Sequence, residues 1–256
     1  MGLTDYLKFR IKSTNAHGLH SPFMYNLSTR CYYDKNKYPD YQKLKAYHRE
    51  LLQNEKVIET EDLGAGSRKF KTNHRKIKDI ARISGSSLQD MKIYYRLSKY
   101  FRPKHILELG TSLGKSAYAL SLGHPEAEIT TVEGDKNIAG FTRSFWREKQ
   151  IDIRLVNRDF DDFLDDLNQG NQQFDMIVMD GNHRLAPTLR YFEKLQKHIH
   201  NDTVVMVDDI YWSEEMKQAW EELKRHPKVR QSVDSFHFGL LFFRKEQFKQ
   251  EFIIRL

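Results

Sequence analysis

From about residue 104 the chain alternates short apolar runs with longer stretches in which apolar positions recur every three or four residues. The short runs are His105–Gly110, Glu128–Gly134, Ile153–Asp159, Phe174–Gly181 and Thr203–Ile210, and their length and composition predict strands buried on both faces. The intervening stretches, among them Leu113–Leu122, Asn137–Gln150, Leu185–His198 and Ser213–His226, predict amphipathic helices. Strand and helix in alternation give an α/β fold, a doubly wound Rossmann-like parallel sheet covered by helices. Two last extended runs, Val229–Phe236 and Phe238–Arg244, have only His237 between them. No crossover fits there, so they are expected to pair as an antiparallel hairpin at the sheet edge, the sixth and seventh strands.

Residues 1–103 follow no such rhythm. They are rich in Tyr and Lys with broken helical periodicity, and predict an N-terminal helical extension ahead of a domain at 104–256, the boundary lying near Pro103. A loop at Asp62–Ser67 and a basic stretch from Arg68 to Arg82 interrupt it. In His17-Gly18-Leu19-His20-Ser21-Pro22-Phe23 two histidines stand three apart, as metal ligands can. Pro22, however, suits the first turn of a helix, and the histidines and Phe23 are expected to pack against the main domain.

The 256 residues, 39% hydrophobic and 30% charged, exclude a miniature or disordered chain. One cysteine, Cys31, excludes an intrachain disulfide and any multi-cysteine metal site, which fits a reducing cytoplasm. Asp5, Lys8, Arg10 and Lys12 break up the start of the chain, Tyr6 replaces the Ser or Thr of a myristoylation signal, and no apolar run approaches the ~18 residues of a membrane span. No membrane partner is expected. The formal charge of +7 is concentrated early, with 20 Lys/Arg against 10 Asp/Glu in residues 1–100. That bias suits either solvated helices or a phosphate-bearing partner.

The segment Ile106-Leu107-Glu108-Leu109-Gly110-Thr111-Ser112-Leu113-Gly114-Lys115-Ser116 places a glycine turn between a buried strand and a helix. Gly110 and Gly114 let the backbone approach a ligand, and the helix start offers free N–H groups and a positive dipole end. A mononucleotide P-loop has four residues between its glycines ahead of Lys-Ser; here there are three. A dinucleotide loop needs a glycine where Ser112 stands, so NAD is disfavoured. Downstream, Glu133 ends the second strand, where a carboxylate can accept both ribose hydroxyls. Asp159-Phe160 ends the third with an acceptor and an aromatic face for an adenine. Ligands of doubly wound sheets sit at such carboxyl ends, although capping a helix is the simpler role for any one of these acids. A second cluster, Asp62-Leu63-Gly64-Ala65-Gly66-Ser67, has no apolar strand leading into it and reads as a loop.

An acidic residue two before the first glycine, with a second glycine four later, resembles motif I of the class I S-adenosylmethionine-dependent methyltransferases. The resemblance implies S-adenosylmethionine as cofactor, held by Glu108, Gly110, Thr111, Ser112, Gly114, Ser116, Glu133, Gly134, Asp159, Phe160 and Asp180. The strand ends Asp180-Gly181-Asn182-His183 and Asp208-Asp209 look like those of the catechol and caffeoyl-CoA type O-methyltransferases. In that family an Asp and an Asp-Asn pair hold a divalent cation. Ser116 matches a residue that contacts the methionine part of the cofactor there. The likeness covers about residues 105–244 and departs at Asp209, where the family has Asn, and at His183, where the catechol enzymes have a catalytic Lys.

On this resemblance Asp180, Asp208 and Asp209 are candidate ligands for Mg²⁺, Mn²⁺ or Ca²⁺, and His183 and Asp180 are candidate catalytic residues. Capping a helix or binding a substrate amine are the other uses of Asp208-Asp209. The expected activity is methyl transfer to a small-molecule acceptor at oxygen, with the N-terminal helices as a lid over the acceptor or as a homodimer contact. Two alternatives stand beside it: RNA methylation through the basic stretch around Arg68–Lys76, and a non-catalytic module that only binds the cofactor.

Overall fold

The structure, a computed structural model, describes residues 2–60, 73–83 and 86–256. The extension comprises α1 (Leu3–Lys12), α2 (Pro22–Leu27) and α3 (Asp40–Gln53), then β1 (Val57–Glu59) and β2 (His74–Lys76) as a small antiparallel sheet, then α4 (Ile77–Ile83) and α5 (Leu88–Phe101). Strand and helix then alternate through β3 (His105–Leu109), α6 (Lys115–Gly123), β4 (Glu128–Glu133), α7 (Lys136–Glu148), β5 (Arg154–Asn157), α8 (Phe160–Leu167), β6 (Phe174–Met179), α9 (Leu185–Leu195), β7 (Ile199–Asp208) and α10 (Glu214–Arg225). The chain closes with β8 (Gln231–Asp234), β9 (Phe238–Phe242) and β10 (Gln250–Ile253).

The main sheet has eight strands in the order β10-β8-β9-β7-β6-β3-β4-β5, with only β9 antiparallel to its neighbours. The doubly wound sheet and its terminal hairpin are as expected, but two details correct the sequence reading. The hairpin does not form the edge, because β10 pairs parallel with β8 outside it and brings the strands to eight. That strand is short and exposes Gln250 and Glu251, leaving little apolar signal to read. In addition, α8 fills the gap after the third strand of the alternation. Its Phe160, Phe163, Leu164 and Leu167 recur at helical spacing among four aspartates that mask the pattern.

In the extension Ser21 caps α2 and Pro22 opens it, and Phe23 meets Phe242 edge-on at 5.0 Å. His20 stays exposed rather than packing, because the turn before Pro22 carries it outward. The side chain of His17, the Asp62–Ser67 loop and residues 68–72 of the basic stretch lie outside the described residues. No helix among the described residues is long and apolar enough to cross a membrane.

The period-two rule explains where the core sits. Along β3, Ile106 joins the side chains of one face and Leu107 and Leu109 those of the other. The Leu107 face packs on α8, α9 and α10 through Leu164, Phe192 and Trp220. The Ile106 face packs on α6 and on the extension, through Leu44, Tyr47, Met91, Tyr94 and Leu97. Glu108 shares the parity of Ile106, so a carboxyl group points into this second, apolar layer.

One bond pair ties the extension to the glycine loop. The buried Tyr47 hydroxyl donates to the Leu113 carbonyl at 2.7 Å and accepts from Trp146 Nε1 at 2.9 Å. Removing it leaves two buried groups unpaired, so Tyr47→Phe is expected to cost about 1–3 kcal/mol. The denaturation midpoint in urea measures the loss, and an unchanged midpoint rules the tie out.

Candidate active site

The chain leaves β3 through two glycines that no other residue could replace without rearrangement. Gly110 has φ +110°, and a Cβ there would lie 1.9 Å from the Asp180 carbonyl oxygen; at Gly114, φ +69°, it would lie 2.3 Å from the Trp146 ring. Between them Ser112 also adopts a left-handed backbone at φ 46°. The backbone N–H groups of Gly110 and Thr111 both donate to the Val132 carbonyl, at 2.9 and 3.1 Å. Ser112 N donates to Glu133 Oε2 at 2.8 Å, while Asp135 N donates to Oε1 at 2.9 Å. Glu133 thus pins the loop to the end of β4. Burial raises its pKa against those two backbone donors. Each carboxylate oxygen still has acceptor capacity for a ligand hydroxyl.

A narrow cleft opens beside the loop, lined by Ser86, Gly110, Ser112, Lys115, Ser116 and Asp180 among others. Ser86 is contributed by the extension. Lys115, which gives the loop its P-loop look, is buried and donates instead to the Ala81 carbonyl at 2.6 Å and the Ser86 carbonyl at 3.1 Å. Burial draws its pKa down to about 8. On β3 before the loop, Glu108 is fully buried, and desolvation raises its pKa to about 7 although the Ser116 and Thr131 hydroxyls partly offset this. Thr131 gives its only proton to Glu108 Oε2, so the Thr111 hydroxyl, 2.6 Å away, is the donor to Thr131.

The remaining cofactor candidates divide. Phe160 lies against Gly181, with Tyr191 edge-on at 5.7 Å. Asp159 caps α8 by accepting from Asp161 N at 2.8 Å, the simpler role open to such an acid. The carbonyl of Gly134 accepts from the Asn157 side chain at 3.1 Å.

Asp180 follows β6, Asp208 ends β7, and their carboxyl groups hydrogen-bond each other. Burial first, then Asp208 and Asp209, pushes the Asp180 pKa well up; burial and then Asp209 raise that of Asp208. Asp209, at φ 54°, feels His183 and His237 most among the charges around it. His183 Nε2 is 3.7 Å from Asp180 Oδ1, and burial lowers its pKa, keeping the imidazole neutral at pH 7. The turn that carries it holds Asn182 at φ 65° and His183 at φ 25°, the kind of backbone strain that concentrates at functional sites.

The fold therefore brings the expected Asp180, His183, Asp208 and Asp209 to one place, together with Ser86 and His237, whose distance along the chain gave no signal. Hard carboxylate oxygens suit a divalent cation in kind. Among the described residues, however, no group of three or more His, Cys, Asp or Glu side chains is placed to hold a metal ion.

A family model described as a methyltransferase domain matches residues 107–210. Catechol O-methyltransferase domain-containing protein 1 of Mus musculus is 28% identical over 149 residues, 56% of this chain and 55% of that protein. The chain thus spans about half the length of this curated relative. Among solved structures, the SAH-bound methyltransferase PaMTH1 of Podospora anserina matches with a TM-score of 0.61 at 15% identity, over 89% of this chain and 97% of that one. The O-methyltransferase TomG of Streptomyces achromogenes, solved with SAM, matches at 0.58 and 19% identity over 85% and 96%. These likenesses establish the fold.

Glu108 gives the site a measurable pH signature. Its carboxyl stays protonated in the folded chain up to about 7, against 4.5 as its ordinary value, so the stability that this protonation confers is present below 4.5 and lost as pH rises to 7. Glu108→Gln is expected to melt increasingly above the ligand-free parent across that window, by roughly 3 kcal/mol at its upper end. A stability difference that stays flat between pH 4.5 and 7 contradicts this.

Proposed function

We propose that this chain, whose residues 107–210 form a methyltransferase domain, moves a methyl group from S-adenosylmethionine to an oxygen of a small-molecule acceptor. One observation carries the reading above all. Gly110 and Asp180 meet backbone to backbone, so a cleft beside the glycine loop reaches Asp180 of the acid cluster. A cofactor in the first faces an acceptor in the second. The name of the mouse relative and the solved O-methyltransferases favour oxygen as the nucleophile.

When bound, the cofactor supplies a methyl already activated on a sulfonium, so alignment and one proton are what the chain must provide. The glycine loop admits the cofactor's backbone-hugging parts, Glu133 retains lone pairs for the ribose, and the Phe160 ring offers the base a face. Neutral His183 takes the proton from the acceptor hydroxyl as its oxygen attacks, and Asp209 stabilises the imidazolium that forms. Should a divalent cation take part, Asp180, Asp208 and Asp209 are the side chains suited to it, and it would lower the pKa of the acceptor hydroxyl. The scheme above runs without it. The basic stretch gives RNA less support, since Lys76 and Lys78 both pair with Glu55.

Calorimetry with S-adenosylhomocysteine is expected to show one site, lost in Gly110→Val. Labelled methyl transfer over a panel of phenols, alcohols, amines and RNA should place the label on a hydroxyl compound, with His183→Ala slowing turnover about 10²–10⁴-fold. Label on RNA or on nitrogen alone overturns the oxygen assignment. Turnover indifferent to both EDTA and Asp208→Ala removes the cation.

A further inference from the structure

Four of the nine most exposed large apolar side chains among the described residues sit on one ten-residue helix, α1. Leu3, Leu7 and Ile11 are 75%, 52% and 84% exposed. Spaced four apart, they form one stripe along the helix, because positions i and i+4 stack on the same face. At about 100° per residue, Lys8 and Arg10 fall on the two flanks of that stripe, while Asp5 and Phe9 fall on the far side. The far side holds the helix in place. Phe9 is buried with its ring centroid 5.2 Å from that of Phe236, and Asp5, the one acid on α1, pairs with Lys217 at 3.0 Å. A fixed helix thus turns an apolar stripe edged by cations outward.

Contiguous exposed apolar surface marks a contact, and the chemistry of this one selects the partner. A second copy of the chain suits it poorly: three side chains fall far short of the ~800 Å² per partner that a stable interface buries. Laying the stripe on itself would also bring the cations of the two copies together. A nucleic-acid backbone would answer Lys8 and Arg10 but leave the stripe uncovered. An anionic bilayer answers both. We propose that α1 docks on an anionic lipid surface, lying in the plane of the headgroups with Leu3, Leu7 and Ile11 turned into the acyl boundary. The proposal stands apart from the methyl-transfer reading. The expectation of no membrane partner came from span length, and a helix lying on a surface needs one apolar face instead of a span.

Co-sedimentation of the full chain with vesicles tests this. The chain is expected to bind phosphatidylcholine vesicles that contain phosphatidylserine, to release as salt rises, and to ignore phosphatidylcholine alone. Leu7→Ser combined with Ile11→Ser should weaken binding ~10-fold or more, and Lys8→Gln and Arg10→Gln about 5-fold each. All these variants should melt with the parent, since the replaced side chains face solvent; a lower melting temperature overturns the exposed stripe and the proposal with it. An environment-sensitive dye on Leu7→Cys, which labels selectively because Cys31 is buried, should shift to the blue on anionic vesicles. A parent that binds no vesicles, an unshifted dye, or equal binding by parent and variants overturns the docking of α1. Two further results also overturn it: a parent dimer that Leu7→Ser disperses, which gives the stripe to a second copy, and retention on RNA instead of vesicles, which gives the cations to phosphate.

Discussion

The backbone contact between Gly110 and Asp180 is the constraint around which the site is organised. Asp180 N donates to the Leu109 carbonyl at 2.9 Å, and the Asp180 carbonyl occupies the space a side chain at 110 would need. The contact falls where the winding reverses, since β3 lies between β4, reached next along the chain, and β6, reached after the return. At such a switch point the two following loops diverge and leave a crevice. Here they diverge from a point of contact, so the crevice has a fixed floor. A glycine at 110 is thus required by packing as much as by any ligand. Tyr47 and Trp146 then brace the far end of the loop from the extension and from α7.

The site concentrates ionisable groups that a stable core would avoid. Glu108 and Lys115 are both buried, yet they do not pair; the ammonium satisfies carbonyls of the extension while one oxygen of the carboxyl goes unbonded. Asp180 and Asp208 face each other with no Lys or Arg among the causes of their shifts. Burying unpaired charge costs stability unless a group neutralises or a ligand completes it. Raised carboxyl pKa values are the first response, and a bound ligand is the second. Perturbed groups gathered in one crevice are accordingly better explained by function than by folding.

What the sequence made legible was what is local in it. The glycine loop, Glu133, Asp180 and the Asp208-Asp209 pair each sit within a residue or two of a strand end, and alternation fixes the side of the sheet to which those ends point. The edge strand β10 escaped because four residues, the first two polar and exposed, are too few to show a pattern of their own. His237 was hidden too, in a turn that reads as a connection and lands beside Asp209.

This division between local and non-local bears on selectivity. Carboxylates and a neutral imidazole can handle a hydroxyl proton on many carbon skeletons, so they discriminate poorly among acceptors. Discrimination requires shaped surface around the skeleton, where a misplaced methylene or an unpaired polar group changes the barrier. On the proposed function, such a surface would be aromatic and would come partly from the start of the chain. Tyr6 and Phe9 of α1 meet Phe236 at 5.1 and 5.2 Å, Tyr211 stacks on the same ring at 4.8 Å, and Asp5 anchors the helix to Lys217 at 3.0 Å. Phe236 adjoins His237 and holds a left-handed backbone at φ 70°. The strand ends would then set the chemistry, and the extension the choice of acceptor; two chains with the same glycine loop and acids but different first helices should differ in what they methylate.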